Sequence, residues 1–217
     1  MAPRATRLAV LLALATAAAL AAAGAGAGAG RPSCARTTPP TRRATPRLMP
    51  PATRLDARRR WTATFVTTCG SFAVRLDVRD SPRTTASFVF LARRGFYDDT
   101  IFHRIVPGFV IQGGDPTGSG LGGPGYSVRD RPPAHVVYGH GVVAMAKTAI
   151  EPAGTSGSQF FVVTARDAQL PPDYAVLGRV VEGIAVVDLI GRFGNRSDPT
   201  GRPTRLVVLR RVLVSSS

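Results

Sequence analysis

One stretch of this sequence, residues 101–115, restricts the possible folds more than any other. Its two apolar runs flank Pro107-Gly108, a pair typical of a tight turn, so the stretch predicts two neighbouring antiparallel strands. The first run contains Arg104, whose guanidinium stays protonated at any working pH and presents its N–H donors in a rigid fork. Such a cation can hold a peptide in an apolar pocket, or it can extend from the sheet surface into solvent. Residues 101–115 alone leave both interpretations open.

Further strand-like segments of similar length recur along the chain from Trp61 onward. They cover residues 65–69, 72–78, 142–146, 159–164, 174–181 and 206–214. One helix is predicted to begin near Ser81-Pro82 and to end at Gly95, and a second covers residues 182–190. Many short strands together with two helices predict a mainly β fold, specifically a closed antiparallel barrel.

The first sixty residues have a different composition. Residues 1–30 combine two arginines with the uncharged apolar run 8–23 and several small-residue cleavage sites, which predicts a signal peptide or an uncleaved membrane anchor. Residues 31–60 are rich in Pro, Arg and Thr and predict a disordered linker before a domain that spans residues 61–214. We therefore expect an extracytoplasmic protein, either secreted or tethered to a membrane through residues 8–29.

The net charge of +15 is concentrated in this N-terminal part. Residues 1–60 hold eleven arginines and one aspartate, whereas residues 61–217 hold seventeen basic and twelve acidic side chains. Lys147 is the only lysine, a bias that favours a high-GC bacterial source. We expect no specific nucleic-acid partner, although the basic tail can bind nucleic acid or anionic lipid nonspecifically.

Two cysteines, Cys34 and Cys69, occur in the sequence. They can form a disulfide in an oxidising compartment, but the position of Cys69 at the end of a strand is more typical of a small buried apolar residue. The sequence has no CxxC pair, no His/Cys cluster and no cluster of carboxylates. We therefore expect neither a metal ion nor a cofactor.

The sequence offers little equipment for breaking covalent bonds. Ser156 and Ser158 lack the strand–turn–helix setting of an activated nucleophile, and the glycine-rich residues 113–125 lack the Gly-Lys-Ser/Thr of a phosphate-binding loop. What remains is a set of polar donors among apolar residues, which suits the binding of an extended peptide with an apolar side chain. The members of this set are Arg104, Phe109, Gln112, Met145, Ala146, Gln159, Phe160, Phe161 and Leu170.

Two sequence blocks carry a resemblance to a known family. Residues 102–115, FHRIVPGFVIQGGD, and residues 157–161, GSQFF, resemble the signature blocks of the cyclophilin-type peptidyl-prolyl isomerases, and further matches extend the resemblance over residues 61–214. The resemblance implies a closed eight-stranded antiparallel β-barrel with two capping α-helices. It also implies an isomerase of X-Pro peptide bonds that binds proline-containing segments and needs no cofactor. Together with the predicted leader, this predicts an enzyme that assists the folding of exported proteins. We expect a monomer.

The same resemblance assigns roles to individual residues. Arg104 matches the catalytic arginine, and His103 is its neighbour in the motif. The residues that match the proline pocket are Phe109, Met145, Phe161 and Leu170. The remaining substrate-binding positions of the groove are Gln112, Ala146, Gln159 and Tyr174.

Two positions depart from the family pattern, and two other functions stay open. Lys147 stands where many members have asparagine, and Gln169 stands where cyclosporin-sensitive members have tryptophan, which predicts weak cyclosporin binding. The first alternative is a binding module whose groove holds proline segments as a chaperone does, with incidental catalysis. The second is an anchor that attaches the chain to a membrane or to nucleic acid through its basic N-terminal part.

Overall fold

The computed structural model describes residues 32–217. The predicted signal peptide or membrane anchor, residues 1–30, lies outside the described residues. Eleven strands and two helices follow one another in the described chain. Their bounds are β1 Trp61–Thr67, β2 Gly70–Leu76, α1 Pro82–Arg93, β3 Thr100–Ile101, β4 Arg104–Val106, β5 Val110–Gly113, β6 Val128–Arg129, β7 Val142–Met145, β8 Thr155–Ser156, β9 Phe160–Val163, β10 Val176–Glu182, α2 Ile184–Gly191 and β11 Val208–Ser216.

The hairpin of β1 and β2 starts the sheet. Every second side chain of β1 is buried, because successive side chains of a strand point to opposite faces. Phe65 of β1 lies opposite Phe72 of β2, and their rings stack with centroids 4.7 Å apart. Gly70 begins β2 with a φ of +112°, a backbone conformation that other residues rarely adopt. The tight return of the chain therefore depends on a glycine.

Nine strands form one antiparallel sheet in the order β3-β11-β1-β2-β10-β7-β9-β5-β4, and β6 pairs separately with β8. The mainly β class with two helices is confirmed, but the closed eight-stranded barrel is wrong: the sheet is a curled, open half-barrel of nine strands. Its two edge strands, β3 and β4, are joined in sequence by only Phe102 and His103. Each edge strand takes a different neighbour, β3 pairing with β11 and β4 with β5, so the ladder ends at both.

Both predicted helices are confirmed. Helix α1 begins at Pro82, where the missing N–H of proline removes no helical hydrogen bond. The carboxylate of Asp130 accepts hydrogen bonds from the backbone N–H groups of Arg83 and Thr84 at 2.8 and 2.6 Å. These bonds satisfy two donors that the start of a helix leaves without partners. Helix α2 follows Gly183, which has a φ of 73°.

Apolar side chains form two separate clusters on the two faces of the sheet. The larger cluster, here called the inner core, packs the sheet against both helices and includes the rings of Phe65, Phe72, Phe88, Tyr97 and Phe160. The smaller cluster, here called the outer cluster, consists of Val110, Tyr138, Val142, Ala144, Phe161 and Val163. Strand β9 contributes to both clusters, because its consecutive residues alternate between the two faces.

Residues 32–60, here called the N-terminal strap, contain neither helix nor strand but contact the domain. Cys34 and Cys69 form a disulfide, the pairing that the sequence leaves undecided. Next to it, the N–H of Ala35 donates to the carbonyl oxygen of Thr68 at 2.8 Å. The strap is therefore attached to the turn between β1 and β2.

A second attachment lies at the end of α1. The Arg43 guanidinium donates hydrogen bonds to the carbonyl oxygens of Gly95, Phe96 and Asp98. The sequence predicts a disordered linker here because apolar residues are sparse, whereas the observed contacts are made by backbone groups, a disulfide and one arginine. Composition does not reveal contacts of this kind.

Within residues 32–217, no helix combines the length and the apolar character that a membrane crossing requires. In the same part of the chain, His, Cys, Asp and Glu side chains form no group of three or more that could hold a metal ion.

Candidate active site

A cavity of about 250 Å³ opens on the outer face of the sheet. It is here called the proline cavity after the pocket that the sequence resemblance predicts. Strands β4, β5 and β9 and the segments that follow β7 and β9 supply its walls. The lining residues are Arg104, Phe109, Val110, Gln112, Ala146, Lys147, Phe161, Leu170 and Tyr174. The cavity thus combines aromatic and aliphatic walls with two cations and one amide.

Strand register brings Arg104 and Gln112 together. The two residues lie directly opposite each other in the antiparallel pair of β4 and β5. Side chains that face each other across strands lie on the same side of the sheet. The Arg104 Nη1 donates to the Gln112 Oε1 at 3.4 Å. The turn at Pro107-Gly108 sets this register, so the local sequence alone determines the pair.

A glycine supports the Arg104 side chain from below. A Cβ at Gly201 would lie 2.9 Å from the Cγ of Arg104, so only glycine leaves room for the arginine stem there. The carbonyl of Gly201 also accepts a hydrogen bond from the N–H of Ile105 at 2.7 Å. Gly201 is far from Arg104 in sequence, and no motif indicates this role.

A chain of amide hydrogen bonds continues from Gln112. Its Nε2 donates to the Oε1 of Gln159 at 3.1 Å. The Nε2 of Gln159 in turn donates to the carbonyl oxygens of Gly120 and Gly122 at 2.8 and 3.0 Å. Both donors of the Gln159 amide and its oxygen are therefore engaged, and the orientation of the Gln112 amide toward Arg104 follows from this chain.

Asp115 holds the glycine-rich loop in the shape that presents these carbonyls. Its carboxylate accepts hydrogen bonds from the side chain and backbone of Thr117 and from the N–H groups of Gly120 and Gly122. Burial acts to raise the pKa of Asp115, but these hydrogen bonds outweigh it and lower the pKa below its ordinary value. The glycine-rich loop, residues 113–125, is thus organised around the carboxylate of Asp115.

Aromatic residues build the apolar side of the cavity. The rings of Phe161 and Tyr174 meet edge to face with centroids 5.4 Å apart. The hydroxyl of Tyr138 donates to the carbonyl of Tyr174 at 2.6 Å and accepts from its N–H at 3.0 Å. Burial raises the pKa of Tyr138 to about 12, so this phenol stays protonated and keeps its role as a donor.

Lys147 closes one side of the cavity with a buried ammonium. Its Nζ lies 2.9 Å from a carboxylate oxygen of Asp173, and only 3% of the lysine side chain is exposed. The same Nζ donates to the carbonyl oxygens of Thr148 and Glu151 at 3.2 and 3.0 Å. All three N–H donors of the ammonium have partners, so Lys147 ties the chain after β7 to the segment before β10.

The structure brings together seven of the ten residues singled out from sequence. These are Arg104, Phe109, Gln112, Ala146, Phe161, Leu170 and Tyr174. An eighth, Gln159, lies beside them through its hydrogen bond to Gln112. Gln169, the position that predicts weak cyclosporin binding, is exposed next to Leu170 and does not line the cavity.

Met145 and His103 lie elsewhere. Met145 is 1% exposed and belongs to the inner core, because its neighbours Ala144 and Ala146 take the outer face of the strand. His103 lines a different cavity, and neither of its ring nitrogens has a hydrogen-bond partner among the described residues. Burial and the neighbouring Arg104 lower the pKa of His103, against an opposing effect of Asp115.

Two residues that line the cavity, Val110 and Lys147, are not in the predicted set. Lys147 stands in the sequence only as a departure from the family pattern, whereas Val110 is not indicated there at all. It lies two positions before Gln112 in β5, so the two side chains share one face of the strand. This spacing is the signal that places Val110 in the cavity. It also places Ile111 on the opposite face, where Ile111 is fully buried in the inner core.

The site is equipped to bind and to polarise, with Arg104 as a hydrogen-bond donor beside an apolar hollow. Ser158, one of the serines considered as a nucleophile, is 1% exposed, and its hydroxyl donates to the carbonyl of Gly114 at 2.7 Å. Ser156 is fully buried against Thr84, with their hydroxyl oxygens 3.1 Å apart. Both serines therefore serve the packing of the loop and not an exposed nucleophilic site.

Several known proteins that are similar to this chain are peptidyl-prolyl cis-trans isomerases. Residues 62–214 match the family described as cyclophilin type peptidyl-prolyl cis-trans isomerase/CLD. The chain is 38% identical over 155 residues to the peptidyl-prolyl cis-trans isomerase CYP18-2 of Arabidopsis thaliana, a match that covers 70% of this chain and 92% of that protein. It is 41% identical over 129 residues to a peptidyl-prolyl cis-trans isomerase-like 1 of Gibberella zeae, covering 58% of this chain and 78% of the relative.

A solved structure is similar over the same region. It is a Cryptosporidium parvum cyclophilin type peptidyl-prolyl cis-trans isomerase, crystallised in the presence of the dipeptide ala-pro. The TM-score is 0.65 at 29% sequence identity, and the superposition covers 72% of this chain and 99% of the other. The N-terminal strap lies before the residues that match the family.

Proposed function

We propose a mechanism on the premise that this chain belongs to the cyclophilin-type peptidyl-prolyl cis–trans isomerases and is an enzyme of that kind. Arg104 stabilises the twisted X-Pro amide while the proline cavity holds the proline ring. The observation that carries the proposal is the position of the Arg104 guanidinium at the edge of a cavity walled by Phe109, Phe161 and Leu170. The ala-pro dipeptide present with the Cryptosporidium parvum protein supports a proline-containing ligand.

The chemistry requires a group that binds the twisted amide better than the planar one. Resonance gives a peptide bond a rotation barrier of about 18–20 kcal/mol, and X-Pro bonds populate both planar isomers. Twisting the bond breaks this resonance and leaves a lone pair on the proline nitrogen. A hydrogen bond from Arg104 to that lone pair forms only in the twisted state, so it lowers the barrier without stabilising either ground state.

The surroundings of Arg104 support this role. The hydrogen bond to Gln112 orients the guanidinium, and Gly201 leaves room for its stem, so little reorganisation is needed when a peptide binds. The apolar walls hold the ring while the carbonyl of the preceding residue rotates. The mechanism uses no nucleophile and no change in the protonation state of any group.

We further propose that the enzyme acts on exported proteins outside the cytoplasm. The Cys34–Cys69 disulfide supports this location, because disulfides persist mainly in oxidising compartments. The leader predicted over residues 1–30 agrees with it. Uncatalysed prolyl isomerisation takes tens of seconds or longer and limits the folding of many chains, so an isomerase there accelerates folding.

Exchange spectroscopy on an X-Pro peptide tests the role of Arg104. We expect Arg104→Ala to lower kcat/KM by about 100-fold or more, as the loss of one transition-state donor does in other enzymes. Arg75→Ala, which removes an exposed arginine from β2, is the matched control and should leave the rate unchanged. Equal rates in the two variants would rule out Arg104 as the donor.

The second candidate function, a chaperone-like binding module, rests on the same cavity and makes a different prediction. Refolding of a client protein would then survive Arg104→Ala but fail when Phe161→Ala removes an apolar wall. Under the isomerase proposal, both substitutions slow refolding of a client limited by proline isomerisation.

A further inference from the structure

A second cavity, of about 550 Å³, adjoins the proline cavity. Gln112, Ala146 and Lys147 line both, so a bound peptide can pass from one to the other. The glycine-rich loop forms one wall of the second cavity, and the chain around Thr148 and Glu151 forms another. Its remaining wall comes from Thr45, a residue of the N-terminal strap.

The strap is held firmly on both sides of Thr45. Two residues earlier, the Arg43 guanidinium donates to three carbonyls at the end of α1, and the Arg43 N–H donates to the carbonyl of Pro116 at 3.1 Å. Three residues later, the N–H of Leu48 donates to the carbonyl of Pro124 at 2.9 Å. The position of Thr45 is therefore fixed by hydrogen bonds to the domain and not by its own side chain.

The strap also lies directly on the loop that forms the second cavity. A Cβ at Gly125 would lie 2.8 Å from the carbonyl oxygen of Pro46 and 2.9 Å from the Cα of Arg47. Gly125 has a φ of +84°, so both space and backbone conformation require glycine there. The backbone of the strap therefore packs directly against the backbone of the loop.

The same loop carries the carbonyls that orient Gln159. Gly120 and Gly122 accept its amide hydrogens, and Gln159 in turn accepts from Gln112. A continuous series of contacts therefore connects the strap with the hydrogen-bond chain that ends at Arg104.

We propose that strap residues 43–48 determine which side chains near the proline this enzyme accepts, with Thr45 as the specificity-determining residue. The inference rests on the proposed function, because it requires the proline ring to occupy the proline cavity. An extended peptide advances about 3.3 Å per residue and alternates its side chains between two sides. A residue near the proline therefore directs its side chain into the second cavity, where Thr45 and the loop limit the available volume.

Peptides of the form X-Pro with one varied position test the proposal. The two residues before the proline and the two residues after it are changed one at a time from Ala to Phe. For each peptide, kcat/KM of the full-length enzyme is measured by exchange spectroscopy. Wild type is compared with Thr45→Trp, which adds volume to the wall of the second cavity. The matched control is Thr38→Trp, the same change at an exposed strap position outside both cavities.

We expect Thr45→Trp to lower kcat/KM for the Phe peptide at one position by about tenfold, because a pocket discriminates side-chain size by such factors. The loss should appear in KM, and the all-Ala peptide should keep its rate. Thr38→Trp should leave every ratio of Phe to Ala unchanged.

A second variant loosens the strap and does not fill the cavity. Arg43→Ala removes three hydrogen bonds that hold the strap, and the neighbouring exposed Arg42→Ala serves as its control. We expect Arg43→Ala to weaken the discrimination between Phe and Ala at the same position. The proposal is overturned if neither Thr45→Trp nor Arg43→Ala changes that ratio, or if both change all peptides equally.

The wild-type measurement separates this inference from the proposed function. If wild type does not accelerate exchange of any X-Pro peptide, the proposed function itself fails. If wild type is active and the ratios do not respond to the strap variants, only the specificity role of the strap fails.

Discussion

Phe160 and Phe161 are neighbours on β9 and chemically identical, yet they belong to different regions of the molecule. Phe160 is fully buried in the inner core, with its ring centroid 5.2 Å from that of Phe65 and 6.1 Å from that of Tyr97. Phe161 lines the proline cavity against Tyr174. The pleat of the strand separates them, because consecutive side chains point to opposite faces. The same residue type thus supports folding on one face and the site on the other.

The neighbouring strands repeat this division. In β5, Ile111 is buried in the inner core while Gln112 enters the cavity. At the end of β7, Met145 is buried inside while Ala146 faces the cavity. Inner-face residues are therefore expected to govern the free energy of unfolding, and outer-face residues to govern turnover.

The sharpest test of this comparison truncates the two phenylalanines separately. We expect Phe160→Ala to lower the free energy of unfolding by about 3–5 kcal/mol, because it leaves a cavity among aromatic rings that cannot collapse. Phe161→Ala should cost less stability, since its ring already borders open space. It should instead lower kcat/KM at least about tenfold through lost contact with the proline ring. Urea unfolding and peptide exchange measure the two effects.

If the two variants lose stability and activity in the same proportion, the division of roles between the two faces of the sheet is wrong. Phe161→Leu offers a milder control, because it keeps an apolar wall and should recover most of the stability. An activity loss that follows the unfolded fraction in every variant would mean that both rings act only through folding.

The N-terminal strap adds a third region that belongs to neither face. The Cys34–Cys69 disulfide closes a loop between residues 35 positions apart in sequence. Closing a loop of that length is expected to contribute about 3–4 kcal/mol to the free energy of unfolding, through restriction of the unfolded chain. Unfolding of the oxidised and reduced protein, without substitution, measures the difference.

Reduction should leave exchange of an all-Ala X-Pro peptide unchanged, because neither cysteine lines the proline cavity. An unchanged unfolding free energy after complete reduction would contradict the prediction. It would show that the other contacts of the strap already provide the constraint.

The smallest expected effect concerns His103, the neighbour of Arg104. Burial and Arg104 lower the pKa of His103 below its ordinary value of 6.5, so the folded protein takes up this proton less readily than the unfolded chain. Stability should therefore decrease as the pH falls below about 6.5, and this loss should end near the lower pKa of the folded state. Urea unfolding between about pH 5 and pH 7 follows the start of this decrease while Asp115 remains ionised.

The histidine variants identify the source of that pH dependence. His103→Gln should flatten the dependence, whereas His135→Gln, at an exposed position, should leave it in place. A steep dependence that persists in His103→Gln would assign it to another group.

Much of this architecture could be predicted from local patterns. The alternation of Phe65 to Cys69 and the Pro107-Gly108 turn correctly predicted strands in these regions. Ser81-Pro82 and Gly95 correctly predicted the two ends of a helix. The pairing of Arg104 with Gln112 follows from the same turn. The number of strands and the open edge of the sheet did not follow, because two- and three-residue strands such as β3 and β4 carry too few residues to form a pattern.

Most members of the site were predicted, but one polar residue, His103, and one apolar residue, Met145, lie elsewhere. Met145 and Val110 are similar apolar residues, and only the face of the strand on which each lies separates the inner core from the cavity. Strand alternation was available as a signal for Val110 once Gln112 was assigned to the site. No comparable signal existed for Gly201 or Thr45, which reach the site from distant parts of the chain.

The sequence by itself determined the longer strands and both helices, the alternation that divides their residues between two faces, and the residue types of a peptide-binding isomerase. These properties depend on neighbours within a few positions of one another. The tertiary structure alone decided that the sheet stays open, that Cys34 meets Cys69, and that the strap places Thr45 beside the groove. Such contacts join segments far apart in the chain, so they depend on the path of the whole backbone, which no local pattern encodes.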